Sequence, residues 1–225
     1  MSQRNSPASR DIDFQIHGYT NLKKHQDCGP MIITDGKGIR VRDNKGKSYI
    51  EGMAGLWCTS LGFQEKRLVM AATKALKKLP YYHSFAHKTP DITIELAEKL
   101  ISISPVPMSK VLFANSGSEA NDLALKLIWY YNNSIGRPRK KKIISRNRAY
   151  HGVTVASGSL TGLTSIHGDF DLPIEGILHT DCPHYYRGAK NGETEEEFAT
   201  RCATNLEKMI NFEGHDTIAA FLQNQ

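Results

Sequence analysis

Long hydrophobic runs are missing from this chain. No stretch approaches the roughly 18 apolar residues of a membrane helix, and the opening residues MSQRNSPASRDID hold no apolar core of a secretory leader. A cytoplasmic protein without a membrane partner is the expectation. Cysteine is scarce as well: Cys28, Cys58, Cys182 and Cys202 are the only 4 in 225 residues, and none forms a CxxC pair. That excludes a disulfide framework and favours a reducing compartment. Cys182 with His179 and His184 follows no common zinc spacing, so no metal site is expected. Neither G-x-x-x-x-G-K-[ST] nor G-x-S-x-G occurs, which excludes a P-loop enzyme and a nucleophile-elbow hydrolase. Gly46-Lys47-Ser48 copies the end of a P-loop, but Val41 stands where its first glycine belongs. Internal repeats and low-complexity tracts are absent too.

Charge of one sign is in modest excess, with a formal net charge of +6. The basic residues are mostly dispersed among acids. The one dense run, Arg137 to Lys142 (RPRKKK), follows a predicted helix, contains a proline and precedes a predicted strand. It reads as a solvated connection, and no nucleic-acid partner is expected.

What is present is a globular composition, 40% hydrophobic and 23% charged, able to bury a core. After a polar start to about residue 10, residues 12 to 28 suggest a weakly helical arm leading to Gly29-Pro30. Short β segments at 32–34, 39–42 and 48–50, separated by Asp35-Gly36-Lys37-Gly38 and Asp43-Asn44-Lys45-Gly46, form a meander. From about residue 64 the pattern alternates. Helices are predicted near 65–79, 91–103, 117–135 and 194–211, and strands near 110–114, 141–145, 176–179 and 217–222. Such alternation implies an α/β fold with a mostly parallel sheet.

The segment Val111 to Lys126 (VLFANSGSEANDLALK) joins several of these signals. A predicted strand, Val111 to Ala114, stops at the polar turn Asn115-Ser116-Gly117-Ser118. Ser116 and Glu119 have capping-box spacing, and Ala120, Leu123, Ala124, Leu127, Ile128 and Tyr131 then recur along one helical face. Free N–H groups and the positive end of a helix dipole converge on the turn, beside two hydroxyls and a glycine, so a phosphate fits there. The same residues also suit a well-capped helix with no ligand.

The octet Asn115 to Asp122, NSGSEAND, resembles the cofactor-phosphate loop of class III (omega) aminotransferases, which use pyridoxal 5'-phosphate (PLP) on the fold-type I scaffold. The likeness runs from about residue 15 to Phe221. It implies an incomplete fold-type I large domain over 61–225, preceded by an arm and meander of the small domain over 1–60. Gly117 and Ser118 are then the main phosphate contacts, with Ser116 as cap and third contact. Tyr150 of Tyr150-His151-Gly152 stacks on the pyridine ring, and His151 lies behind it. Trp57 of Gly52 to Trp57 borders the substrate pocket. Phe85, in Leu79 to Phe85, matches a segment used at a homodimer interface and lines the neighbouring subunit's pocket. Trp57 and Phe85 suit plain packing as well. At Gly62-Phe63 many relatives carry histidine second.

The resemblance implies amino transfer from an amine or ω-amino acid to a keto acid such as pyruvate. It also marks what is not matched. Where the family continues into alanine-glutamate-proline, this chain reads Gln223-Asn224-Gln225. None of its lysines, Lys110, Lys126 and Lys142 among them, matches the family's Schiff-base lysine. No catalytic residue is therefore assigned, and the chain alone is expected to be inactive and poorly soluble or partly unfolded. The alternative is a noncatalytic relative that keeps the fold as a binding or dimerising module.

Overall fold

The computed structural model describes residues 5–223. The expectations for the first four residues and for Asn224-Gln225 lie outside the described residues. The chain forms two compact units, Met1–Lys99 and Leu100–Gln225.

In the first unit helix α1 (Pro7–Phe14) begins earlier than predicted, because Ser6-Pro7 is a ready start signal. Ser6 Oγ accepts the Ser9 N–H at 3.1 Å, and proline at the first helical position loses no hydrogen bond. Helix α2 (Leu22–Cys28) is capped by Asn21, whose side chain accepts the Lys24 N–H at 3.0 Å, and it stops at Gly29 with φ 69°. The arm is thus two short helices rather than one weak one.

Strands β1 (Ile33–Lys37), β2 (Arg40–Asp43) and β3 (Ser48–Ile50) pair antiparallel in that order, as the meander predicted. Buried Asp43 ties the second turn: its carboxylate accepts the N–H groups of Lys45 and Lys47 and the Tyr49 hydroxyl, each at 2.9 Å. Phe63 exchanges backbone hydrogen bonds with Gly38 and lays its ring on Gly36, where a Cβ would approach to 2.8 Å. The residue that departs from the family pattern therefore packs the meander. A single turn α3 (Ala54–Trp57) precedes helices α4 (Lys66–Lys78) and α5 (Asp91–Ile103); the boundary between the units falls inside α5.

The second unit contains α6 (Gly117–Ser134), β4 (Lys142–Arg146), α7 (Val155–Leu160), β5 (Ile177–Thr180), α8 (Tyr185–Gly188), α9 (Glu195–Glu213) and β6 (Ile218–Phe221). Its sheet is parallel throughout, in the order β5-β4-β6. Ile143 and Ile144 of β4 are buried, and Leu125, Ile143, Leu160 and Ile177 form the core, with Trp129, Ala219 and Ala220 packed against it. Each such large side chain contributes about 1.5–3 kcal/mol on burial.

One predicted strand does not form. Residues 111–114 join no ladder among the described residues, and Leu112 and Phe113 stay 61% and 41% exposed. A strand needs a neighbour to take up its backbone N–H and C=O groups, and apolar composition alone does not supply one.

The chain order of the parallel strands also locates a crevice. The connection after β4 runs to β5 on one side, and the connection after β5 returns to β6 on the other side of β4. In open α/β sheets ligands bind beyond the carboxyl ends of strands at such a reversal. The chain leaving β4 there is Asn147 to Val153.

Candidate cofactor site

Helix α6 starts as its sequence predicts. Ser116 is extended, φ −151° and ψ 162°, and its hydroxyl accepts the Glu119 N–H at 3.1 Å. Glu119 reaches back to the Asn115 N–H at 2.7 Å and to its side-chain amide at 3.1 Å. This carboxylate meets the N-cap's predecessor rather than the N-cap itself, so the predicted box closes one residue wider. The N–H groups of Gly117 and Ser118 lie in the first turn, which has no intrahelical acceptor. Space is open beside Gly117, with no atom beyond its chain neighbours and its own helix backbone within 4 Å of where its Cβ would stand.

Ser118 has a second task that the sequence did not disclose. Its hydroxyl accepts the N–H of Val153 at 3.1 Å, so the turn holds the chain that leaves β4. Two further α6 residues, Asn121 and Asp122, continue the seam. Asn121 donates to the His151 carbonyl at 2.6 Å, and Asp122 accepts from the Thr154 hydroxyl and the Ser157 N–H, both at 2.9 Å. From the other side, buried Thr161 accepts the N–H groups of His151 and Gly152 at 2.8 and 3.2 Å. Gly152 has φ 136°, and a Cβ there would strike the hydroxyls of Ser118 and Ser157. Only glycine permits this approach.

The predicted site residues Ser116, Gly117, Ser118, Tyr150 and His151 are therefore parts of one assembly in the second unit. Tyr150 is 45% exposed, whereas His151 is buried. Burial, reinforced by Arg146 and His179, pushes the His151 imidazole below its ordinary range and keeps it neutral. Its Nε2 has no hydrogen-bond partner among the described residues, nor does the buried Ser145 hydroxyl on β4. Orphaned polar atoms this deep call for a partner. Sequence reasoning missed Asn121, Asp122, Gly152, Ser157 and Thr161; the Thr154-x-x-Ser157 cap spacing was the available signal for two atoms of the seam.

Trp57 and Phe85 belong to the first unit. Trp57 ends a run in which Ala54, Gly55, Leu56 and Trp57 all have positive φ, from 49° to 66°, and it is 71% exposed. Non-glycine residues in this region cost roughly 1–2 kcal/mol each. Phe85 is 74% exposed and continues a ring stack in which His83 lies 4.7 Å from Tyr82 and 6.0 Å from Phe85.

Comparison with known proteins gives a consistent picture. The family model Aminotransferase class-III matches residues 22–224. The chain is 55% identical over 220 residues to gamma-aminobutyrate transaminase 1, mitochondrial, of Oryza sativa subsp. japonica, covering 96% of this chain and 43% of that protein. The structure of the omega transaminase from Pseudomonas jessenii in complex with PMP superposes with a TM-score of 0.95 at 57% identity, over 96% of this chain and 48% of that one. A PMP-bound aminotransferase from Vibrio fluvialis superposes with a TM-score of 0.94 at 40% identity, over 98% and 48%. The chain spans less than half the length of these relatives.

Proposed function

Because the chain belongs to the class III aminotransferases, a family that uses pyridoxal 5'-phosphate on the fold-type I scaffold, we propose that its second unit provides the phosphate and ring-binding share of a PLP-dependent transaminase. The reaction is amino transfer from an amine or ω-amino acid to a keto acid such as pyruvate. The rice relative's name points to an ω-amino acid, γ-aminobutyrate, as the donor class. The working form is a homodimer in which Phe85 reaches the neighbouring subunit's pocket and Trp57 borders the chain's own. Residues 1–60 then count with a small domain and 61–225 with the large one. No helix among the described residues is long and apolar enough to cross a membrane, and a cytoplasmic location with reduced thiols is the proposed compartment.

The observation that carries the reading is the seam between α6 and Tyr150 to Thr154. The N–H groups of Gly117 and Ser118 bind phosphate at the positive end of α6, and open space beside Gly117 admits it. Ser118, Asn121 and Thr161 fix the backbone that carries Tyr150, so the phosphate turn and the aromatic platform keep one spacing. Tyr150 holds a bound ring flat. When bound, PLP supplies the electron sink for the substrate's breaking Cα–H bond. The chain by itself offers no lysine matched to that chemistry and is proposed to bind without turning over.

Titration of the 225-residue chain with PLP tests this. Saturable binding that inorganic phosphate competes away, and that Gly117→Val weakens about tenfold or more, is expected, and with a cooperative melt it would overturn the expectation that the chain alone is partly unfolded. Borohydride reduction should then label no single lysine. Absence of saturable binding, or binding indifferent to Gly117→Val, defeats the cradle; one specifically labelled lysine defeats the claim that this chain lacks its own.

A further inference from the structure

Away from the cofactor assembly, Asp11, His17 and His25 bring one carboxylate and two imidazole nitrogens together on the N-terminal arm, all within 4.8 Å of one another. Asp11 lies in α1, His17 in the connection after it and His25 in α2. His17 Nε2 stands 3.0 Å from both oxygens of Asp11, and His25 Nε2 stands 2.8 Å from one of them. The two rings are 4.3 Å apart and tilted by 42°. The side chains of Asp11, His17 and His25 are 16%, 28% and 11% exposed, so the cluster is largely shielded yet reachable.

We propose that Asp11, His17 and His25 form a binding site for a divalent cation of the zinc class, which fastens α1 to α2. Zinc bonds of about 2.0–2.1 Å in tetrahedral array put ligand atoms roughly 3.3 Å apart, and the observed nitrogen-to-oxygen separations fall short of that by only a few tenths of an ångström. Two imidazoles and a carboxylate select a borderline ion such as Zn²⁺. Calcium and magnesium take all-oxygen sets, and the soft Cu⁺ ion takes sulfur. On binding, each Nε2 presents its lone pair to the ion and the ring proton resides on Nδ1. Three protein ligands leave a fourth position for water. The helix–connection–helix bend makes the cluster, which is why the spacing Asp-x₅-His-x₇-His matches no zinc motif in the sequence.

The competing arrangement is a His–Asp–His hydrogen-bonded clamp with no affinity for an ion. Titration of the 225-residue chain with Zn²⁺, followed by calorimetry, and with Co²⁺, followed by absorption, separates the two. One ion per chain is expected, with a tetrahedral cobalt spectrum that lacks the intense charge-transfer band of thiolate ligation. His17→Gln and His25→Gln should each lower affinity about tenfold or more, while His215→Gln leaves it unchanged. Circular dichroism of each variant excludes unfolding as the cause, and Asp11→Asn, which keeps a hydrogen-bond acceptor but removes the charge, should weaken binding with the fold retained. No stoichiometric binding overturns the proposal. So does a thiolate band, or an affinity that His25→Gln does not change.

Discussion

The hydroxyl of Ser118, in the first turn of α6, accepts the backbone N–H of Val153 at 3.1 Å, although the two residues lie 35 apart in sequence. One residue thus touches both halves of the candidate site. Ser118→Ala is expected to leave the Val153 N–H without its protein partner and to cost about 1 kcal/mol in stability. It should also lower PLP affinity by loosening the tyrosine platform. Urea unfolding and a PLP titration on the same preparation measure the two effects together.

Gly152 stands where the seam is tightest. Gly152→Ala adds a Cβ against the hydroxyls of Ser118 and Ser157 and places a side chain at φ 136°. Overpacking and backbone strain together should cost about 3 kcal/mol or more. A thermal melt unchanged from the parent chain contradicts this account of the turn.

Thr161 is fully buried, and its hydroxyl serves the N–H groups of His151 and Gly152. Thr161→Val preserves shape and strands both donors, at about 1–3 kcal/mol for each group left unpaired. Thr161→Ser keeps the hydroxyl and should recover most of the loss. If serine and valine behave alike in urea unfolding, packing of the methyl group is what matters at this position.

The imidazoles of buried His151 and half-buried His179 give a pH signature. Burial is the largest cause of the downward shift in both. The unfolded chain therefore takes up protons first, below the ordinary histidine value of 6.5, and the folded chain follows only at lower pH. Stability present above that value falls as the solution is acidified through it. His151→Gln should flatten this slope between about pH 7 and 5, and a slope identical to the parent's removes His151 from the explanation.

Glu193 reports on a different range. Arg201 donates to it at 2.7 and 2.8 Å and the Lys190 N–H adds a third bond, holding the carboxyl at about 2. Its contribution is complete above the ordinary value of 4.5 and disappears as pH falls towards about 2. Glu193→Gln should lower the melting temperature at neutral pH and converge with the parent in strong acid. A gap that persists in strong acid assigns the effect to shape rather than charge.

Much of this was legible in the chain. The cap at Ser116, the apolar face of α6 and the second meander turn are local, and local rules found them to within a residue or two, whereas Asp35, Gly36 and Lys37, expected in the first turn, pair within β1. The Val111–Ala114 strand failed because strand formation depends on a neighbour, whereas its composition describes only itself. Asn121, Asp122 and Thr161 escaped for a related reason: a hydrogen bond to a backbone group some ten to thirty-five residues away leaves no periodicity behind. Asp11, His17 and His25 were invisible until α1 and α2 turned back towards each other.

The strand order β5-β4-β6 has a consequence for how the site comes into being. Ile143 must close more than twice as long a loop to meet Ala220 as to meet Ile177, yet a doubling of loop length costs only about 0.6 kcal/mol. Entropy barely separates the two closures, whereas synthesis delivers β5 before β6. The phosphate turn, the tyrosine platform and Thr161 all emerge from the ribosome before β6 exists. The seam between them is complete in sequence while one flank of β4 is still bare.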